Sequence, residues 1–207
     1  MCLKKLLYAT LLTGATLSAG PSQYIGVTLL GGQAWIDQDV SIYGEGSAGN
    51  SLEPKIYGGK LNLGIDNGEH LRTNIYLGIE KFDKDIYSDV SKDGVDVANG
   101  SDGLLWSVGF DIIKGYDIDS SVEPYLVGGI DYGFMQVDGY VQKWPSNVGL
   151  KFGGGTFLHM GEMLELQLGA YYKYRMWGNY NLDLPTTTNV DLSDHSVMLE
   201  LGLNFHY

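Results

Sequence analysis

Cysteine is nearly absent from this chain, since Cys2 is the only one among 207 residues. Cys2 lies in an N-terminal segment that we expect to be removed, so the mature chain would contain no disulfide and no cysteine-based metal or redox site. Basic residues are also scarce: 13 Lys and Arg stand against 25 Asp and Glu, a net charge of -12. Losing Lys4 and Lys5 with the N-terminal segment would change that charge by two, to -14. Such an acidic chain is a poor candidate for nucleic-acid binding, which depends on neutralising phosphates.

Long hydrophobic runs are missing as well. The start, "MCLKKLLYATLLTGATLSAG", places two lysines before a short apolar stretch and then small residues, which is typical of a secretory signal peptide. The stretch is too short for a transmembrane helix, which needs about 20 residues, and no later segment is long enough either. We therefore expect a cleaved signal peptide over residues 1–20, cut near Ser18 to Gly20, and one domain over residues 21–207.

The rest of the chain is rich in glycine and tyrosine, with 30 and 15 copies, and shows strand-like alternation throughout. Eight strands are predicted, at 23–36, 55–66, 69–82, 103–114, 122–136, 147–160, 163–177 and 194–207. Long connections such as "DKDIYSDVSKDGVDVANGSD" alternate with short ones such as "DNGE". This alternation predicts an all-β fold, an eight-stranded antiparallel up-and-down transmembrane β-barrel with four extracellular loops and short periplasmic turns.

The two faces of the predicted strands differ in character. In the third strand Leu71, Ile75 and Leu77 alternate with Arg72 and Tyr76. A soluble ligand-binding barrel would also alternate, with its apolar face inward. Here, however, the in-strand glycines fall on the polar face, and glycine is useful there only where side chains crowd together, as inside a narrow barrel. We therefore expect the polar face inside. These glycines are Gly58, Gly64, Gly78, Gly109, Gly129, Gly153, Gly155, Gly169 and Gly202.

Ten charged residues fall on the predicted inward face, five of each sign. The basic ones are Lys60, Arg72, Lys151, Lys173 and Arg175, and the acidic ones are Glu80, Asp111, Asp131, Glu165 and Glu200. Near neutrality is what a confined interior requires, because an unpaired buried charge is costly. An interior of eight strands is just wide enough for side chains to fill, so we expect a filled lumen; a narrow pore is the alternative.

Three stretches carry a resemblance to a known family: the terminal "LELGLNFHY", "EPYLVGGIDYG" in the fifth strand and "LELQLGAYYKYR" in the seventh. Together they make the chain resemble the small outer-membrane β-barrels of the OmpX and OmpA-transmembrane type. By that resemblance the end of the chain is an assembly signal read by the barrel-assembly machinery, formed by Leu201, Leu203, Phe205 and Tyr207.

The resemblance implies residence in the outer membrane of a Gram-negative bacterium, as a monomer in contact with lipid and lipopolysaccharide. It implies a scaffold rather than an activity. We expect a structural or surface-interaction role through the four loops, with no cofactor and no enzymatic activity. The peptidoglycan-binding domain that follows an OmpA-type barrel is not expected here, because the chain stops at the barrel.

Aromatic residues give a prediction about the barrel ends. Tryptophan and tyrosine favour membrane interfaces. The four tryptophans lie beside or within long loops, which predicts an extracellular belt of interface aromatics: Trp35, Trp106, Trp144 and Trp177. Trp144, in the middle of a loop, could instead belong to an exposed binding site. The opposite rim is predicted to use Tyr24, Phe110, Phe205 and Tyr207.

Two sites are weighed and not adopted. "DVSKDGVD" places Asp89, Ser91 and Asp93 at positions one, three and five of a calcium loop and Gly94 at six, but position twelve is Gly100 rather than glutamate. A solvated acidic loop is the alternative.

The second is a lipid A-modifying enzyme, the alternative to a structural role, which would need a paired histidine and serine. The candidates are His159, His195 and Ser196. Adjacent residues in a strand point to opposite faces, so His195 and Ser196 should not meet. His70 and His206 are expected at a rim or inside, without a catalytic role.

Overall fold

The computed structural model describes residues 22–42, 46–67, 69–84, 86, 91–92, 95–96, 103–116, 118, 121–136, 145–178, 180–182 and 188–207. Eight long strands form the body of the molecule: β1 (Ser22–Ile42), β3 (Lys55–Asp66), β4 (Leu71–Phe82), β7 (Leu104–Gly115), β8 (Val122–Gln136), β9 (Ser146–His159), β10 (Leu164–Trp177) and β12 (Thr188–His206). Four short strands lie in the long connections: β2 (Gly46–Leu52), β5 (Ser91–Lys92), β6 (Val95–Asp96) and β11 (Tyr180–Leu182). Among the described residues we find no helix with the length and hydropathy needed to cross a bilayer.

The eight long strands pair antiparallel in chain order, and β12 returns to pair with β1. The seam is continuous, from Tyr24 opposite His206 to Ile42 opposite Thr188. The sheet is therefore a closed barrel, which confirms the predicted fold class and removes the free edges that an open sheet would expose.

The faces follow the prediction. Outward positions hold exposed apolar side chains such as Leu29, Leu77 and Leu199, each more than half exposed. The inward-facing glycines lie where a side chain would collide: a Cβ on Gly109 would meet the ring of Tyr76, and one on Gly64 would meet the ring of Tyr24. Crowding inside the barrel is thus the physical reason for the position of these glycines.

The interior changes character toward the end that carries the long connections. There the buried charges lie beside a buried apolar cluster, which consists of Leu30, Ala34, Ile36, Leu52, Ile56, Phe82, Ile86, Leu105, Met135, Tyr171, Trp177, Leu192 and Met198. The sequence predicted a polar inward face, which the stretch "VTLLGGQA" in β1 does not have. That stretch breaks the alternation because Leu30 and Ala34 face inward as apolar residues.

Candidate functional site

The barrel interior holds the densest group of ionisable side chains in the described residues. All ten charged residues predicted to face inward are buried there. Two further carboxylates, Glu123 and Asp194, are buried with them at 5% and 1% exposure. Both were missed because they lie at the ends of the predicted strands. Their parity gives the signal that would have found them, since Glu123 lies an even number of residues from Asp131, and Asp194 from Glu200.

Two lysines occupy the middle of the lumen. Lys60 Nζ lies 3.1 Å from Glu200 Oε2, and Lys151 Nζ lies 2.7 Å from Asp111 Oδ2. Both ammonium groups also lie 4.7 to 5.0 Å from the ring centres of Tyr76 and Tyr171. The cations are therefore held by carboxylates and by aromatic faces, an arrangement that compensates the loss of water.

A second group lies nearer the long-connection end. Lys173 Nζ is 2.7 Å from Asp131 Oδ2 and 3.3 Å from Glu80 Oε1. Arg175 pairs with Glu80 and, at 2.9 Å, with Asp194. The pairs with Glu80 cross the lumen from β10 to β4, and Lys173 reaches Asp131 past one intervening strand. Arg175 and Asp194 are register partners on the neighbouring strands β10 and β12.

A third group lies at the end that carries the short turns. Arg72 donates from Nη1 to both oxygens of Glu165 at 2.8 Å and from Nη2 to Glu123 at 2.5 Å. The ring of Phe157 covers the guanidinium, with its centre 4.1 Å away. His159 lies between the carboxylates, with Nε2 3.3 Å from Glu123 and Nδ1 3.2 Å from Glu165.

Among the tryptophans predicted to form an interface belt, Trp177 differs from Trp35 and Trp106. Trp35 and Trp106 lie in the parts of β1 and β7 nearest the long connections, on outward positions, and Trp106 is 43% exposed. Trp177 is at the same end, but the interface role predicted for it is wrong. Its side chain turns inward, is 6% exposed, and donates from Nε1 to Asp194 at 2.6 Å. Trp144 lies outside the described residues.

At the short-turn end the rim prediction for Tyr24 is also wrong. Tyr24 is buried at 3%, and its ring lies beside His206 inside the barrel. Phe205 and Tyr207 are exposed at that end, while Phe110, also exposed, lies in the middle of β7. Tyr24 lies near the end of the barrel, but its side chain faces inward and is therefore surrounded by interior residues.

The strand that carries the predicted assembly signal alternates as expected. Leu201, Leu203 and Phe205 are outward and exposed, and Tyr207 follows β12 with 71% of its surface exposed. Recognition by the assembly machinery remains a prediction.

The histidines and serine weighed for catalysis do not converge in the structure. Ser196 is fully buried inside the barrel, whereas His195 faces outward and stacks on Trp35 at 5.4 Å. His159 lies with the third ionic group described above, at the opposite end. Of the weighed calcium loop, Ser91 lies in the short strand β5, and Asp89, Asp93, Gly94 and Gly100 fall outside the described residues, as does the predicted signal peptide.

Antiparallel closure of eight strands, an apolar exterior and a charged interior define the class of protein: a small β-barrel with the fold of outer-membrane proteins. One similar solved structure is Neisserial surface protein A (NspA), with 20% identity and a TM-score of 0.54 over 89% of this chain and 97% of that one. Another is the outer membrane protein OprG from Pseudomonas aeruginosa, with 13% identity and a TM-score of 0.60 over 91% and 97%. At these identities the likeness is one of fold. No protein-family model matches the chain. No curated protein matches it either.

Proposed function

We propose that the chain is an outer-membrane protein of a Gram-negative bacterium, with a filled lumen and a structural or surface-interaction role carried by its four extracellular loops. The observation that carries this proposal is the set of ion pairs between β4 and β10, which lie on opposite sides of a closed barrel with an apolar outer surface. An apolar outer surface suits contact with lipid. In a closed barrel the backbone polar groups of the sheet are already hydrogen-bonded to one another, so none of them is left unpaired in the hydrocarbon.

The pairing argues against a pore. Lys60 of β3 reaches Glu200 of β12, Lys173 of β10 reaches Asp131 of β8, and Arg72 of β4 reaches Glu165 of β10. These contacts occur at three depths along the barrel. The apolar cluster at the long-connection end adds a layer that water would have to cross. A conducting path would require several of these contacts to break together.

Conductance tests the filled lumen. Purified barrel added to a planar lipid bilayer should give no stable current steps, because the paired side chains leave no continuous water path. A double variant, Tyr76→Ala with Tyr171→Ala, removes the two rings that flank the central lysines and should show flickering current. Large, stable steps from the unchanged protein would overturn the filled-lumen proposal.

The surface role rests on charge at the long-connection end. Asp37, Asp39, Asp83 and Asp191 are exposed there. Carboxylates at that position could join lipopolysaccharide phosphates through divalent cations, and they would repel non-specific acidic partners. We further propose that the protein is a monomer, that the assembly machinery inserts it, and that it catalyses no reaction.

Loop deletion tests the surface role. Each long connection is shortened in turn, and cells are scored for sensitivity to a large hydrophobic antibiotic and for binding to host-cell surfaces. Loss of one property with one loop would assign the role to that loop. Normal behaviour of all four variants, with normal amounts of folded protein, would contradict a role carried by the loops.

A further inference from the structure

We propose that the short-turn mouth of the barrel binds a zinc ion, through His159, Glu123 and Glu165, with His70 beside Glu123 as a fourth donor. One donor atom from each of the first three residues lies within 4.8 Å of the other two. Three strands deliver them: β8 carries Glu123, β9 ends at His159, and β10 carries Glu165. We name these four residues the mouth cluster.

The donor pairs have the spacing that zinc requires, with a different nitrogen of His159 turned toward each acid. A tetrahedral ion with bonds of about 2.0 to 2.1 Å keeps neighbouring donors roughly 3.3 Å apart. His159 Nε2 lies 3.3 Å from Glu123 Oε2, and His159 Nδ1 lies 3.2 Å from Glu165 Oε2. His70 Nδ1 lies 2.9 Å from Glu123 Oε1. A zinc ion would replace the proton that a histidine nitrogen shares with a carboxylate, and the part-exposed His159 would turn so that one nitrogen faces both acids.

Hydrogen bonds and packing already fix the carboxylates of Glu123 and Glu165 before any metal ion binds. Glu165 is 1% exposed and also accepts from Asn204 at 2.9 Å, while Arg72 donates to both acids. Glu123 lies over Gly115, where any Cβ would collide with its carboxylate. Hydrogen-bonded second partners of this kind orient metal ligands and raise affinity. The site therefore needs little rearrangement of its buried acids.

Charge and access favour a divalent cation. Asp66 lies 3.1 Å from Arg72, so the three carboxylates Asp66, Glu123 and Glu165 face one guanidinium. Their formal charges sum to -2 when the histidines are neutral, and a zinc ion would balance that sum. The side chains of His70 and His159 are 43% and 31% exposed, so solvent reaches the cluster. A mixed set of imidazole and carboxylate donors favours zinc over calcium or magnesium, which prefer oxygen alone.

Titration calorimetry with zinc chloride on the untagged, folded barrel in detergent tests the site. We expect one saturable binding event with one zinc per chain, and none with calcium or magnesium at the same concentrations. His159→Ala should weaken zinc binding by at least about tenfold, in line with the loss on disturbing a metal-site partner. Cobalt added in place of zinc should give the visible absorption of a four-coordinate ion.

The matched control is His195→Ala, which removes a histidine from the outward surface near the other end of the barrel and should leave zinc affinity unchanged. Glu123→Gln keeps the shape of the side chain and should also weaken binding, and gel mobility before and after heating shows that each variant is folded. Absence of saturable zinc binding to the unchanged protein would overturn the proposal. So would full affinity in the folded double variant His159→Ala, Glu123→Gln. The test does not depend on conductance or on the loops, so it stands or fails separately from the proposed function.

Discussion

Arg175 shows what one interior residue does for the fold. Its side chain is fully buried and pairs with Glu80 and Asp194, which are themselves buried. Arg175→Met keeps a side chain of similar size and removes the charge, which takes away the cation paired with Asp194 and leaves Glu80 paired with Lys173. We expect the free energy of unfolding to fall by about 3 kcal/mol, the usual cost of breaking a buried pair on one side. Urea titration of the barrel in lipid vesicles, followed by tryptophan fluorescence, measures this loss.

The neighbouring residue supplies the control for Arg175. Tyr174 lies next to it in β10 but faces outward at 38% exposure. Tyr174→Met should change the unfolding free energy by less than about 1 kcal/mol, as expected for substitutions away from buried features. Equal losses in the two variants would mean that the ion pairs do not stabilise the interior.

Substitution of two glycines tests whether side chains crowd the interior of the barrel. A Cβ on Gly109 would collide with the ring of Tyr76, whereas one on Gly31 would meet nothing within 4 Å. Gly109→Ala should therefore cost about 1 to 3 kcal/mol through overpacking. Gly31→Ala should be neutral or should stabilise by up to about 1 kcal/mol, because alanine has fewer unfolded conformations. The same urea titration measures both, and a stable Gly109→Ala variant would contradict the crowding argument.

At the scale of single strands, the sequence predicted most of the barrel. The eight predicted strands correspond to the eight observed ones, with most ends within two residues. The period of two is a property of the pleat, so it survives in one sequence wherever one face is apolar. The inward position of ten charged residues followed from parity in the same way, whereas Glu123 and Asp194 at the strand ends were missed.

The strands that the sequence missed in part are β1 and β12. β1 was predicted to end at residue 36 but continues to Ile42, and β2 pairs with this extension. β12 was predicted to begin at residue 194 but begins at Thr188, where β11 pairs with it. In these extensions the outward residues Asp37, Asp39 and Asp191 are polar, while Leu192 is buried, as is Ile36 just before the first extension. The pattern is inverted relative to the apolar-outward part of the barrel, so a single rule for the outer face failed there. Contacts among side chains, such as Trp177 with Asp194, are tertiary and cannot be obtained from alternation.

The outward face of a strand gives a prediction about depth. Leu77 lies in the middle of β4 and is 62% exposed, and Leu71 lies on the same face at the short-turn end. If the outer surface meets lipid, Leu77→Arg should cost about 2 to 4 kcal/mol, while Leu71→Arg should cost roughly 0 to 1 kcal/mol, because the cost of charge falls from the bilayer centre to its surface. Unfolding titrations in vesicles compare the two. Similar losses of unfolding free energy at the two positions would contradict the proposal that the outer surface faces lipid.

For the whole molecule, the interior is layered along the barrel axis. The mouth cluster lies at the short-turn end together with a small apolar group that contains Ile113 and Phe157, since the Phe157 ring covers Arg72. The central lysines come next, and toward the long connections the Arg175 group lies among residues of the larger apolar cluster, with Asp194 opposite Ile36 and Glu80 opposite Leu105. Since each layer joins several strands, closure of the barrel and pairing of the interior charges depend on each other.

The seam between β1 and β12 makes that dependence testable. Val27 lies opposite Leu203, and both face outward. Directly opposed residues of antiparallel strands lie about 4.5 to 5.5 Å apart between Cα atoms, within the range of a disulfide. The double variant Val27→Cys, Leu203→Cys, made with Cys2→Ser, should therefore cross-link on oxidation. The link closes a loop of well over 100 residues, so the oxidised barrel should be more stable by about 3 to 5 kcal/mol than the reduced one.

Leu199 lies four residues along β12 from Leu203, about 14 Å away, so the pair Val27→Cys, Leu199→Cys should not cross-link within a folded chain. Thermal unfolding followed by gel mobility, with and without reductant, measures the difference, and failure of the first pair to cross-link while both thiols remain reactive would mean that the seam is open.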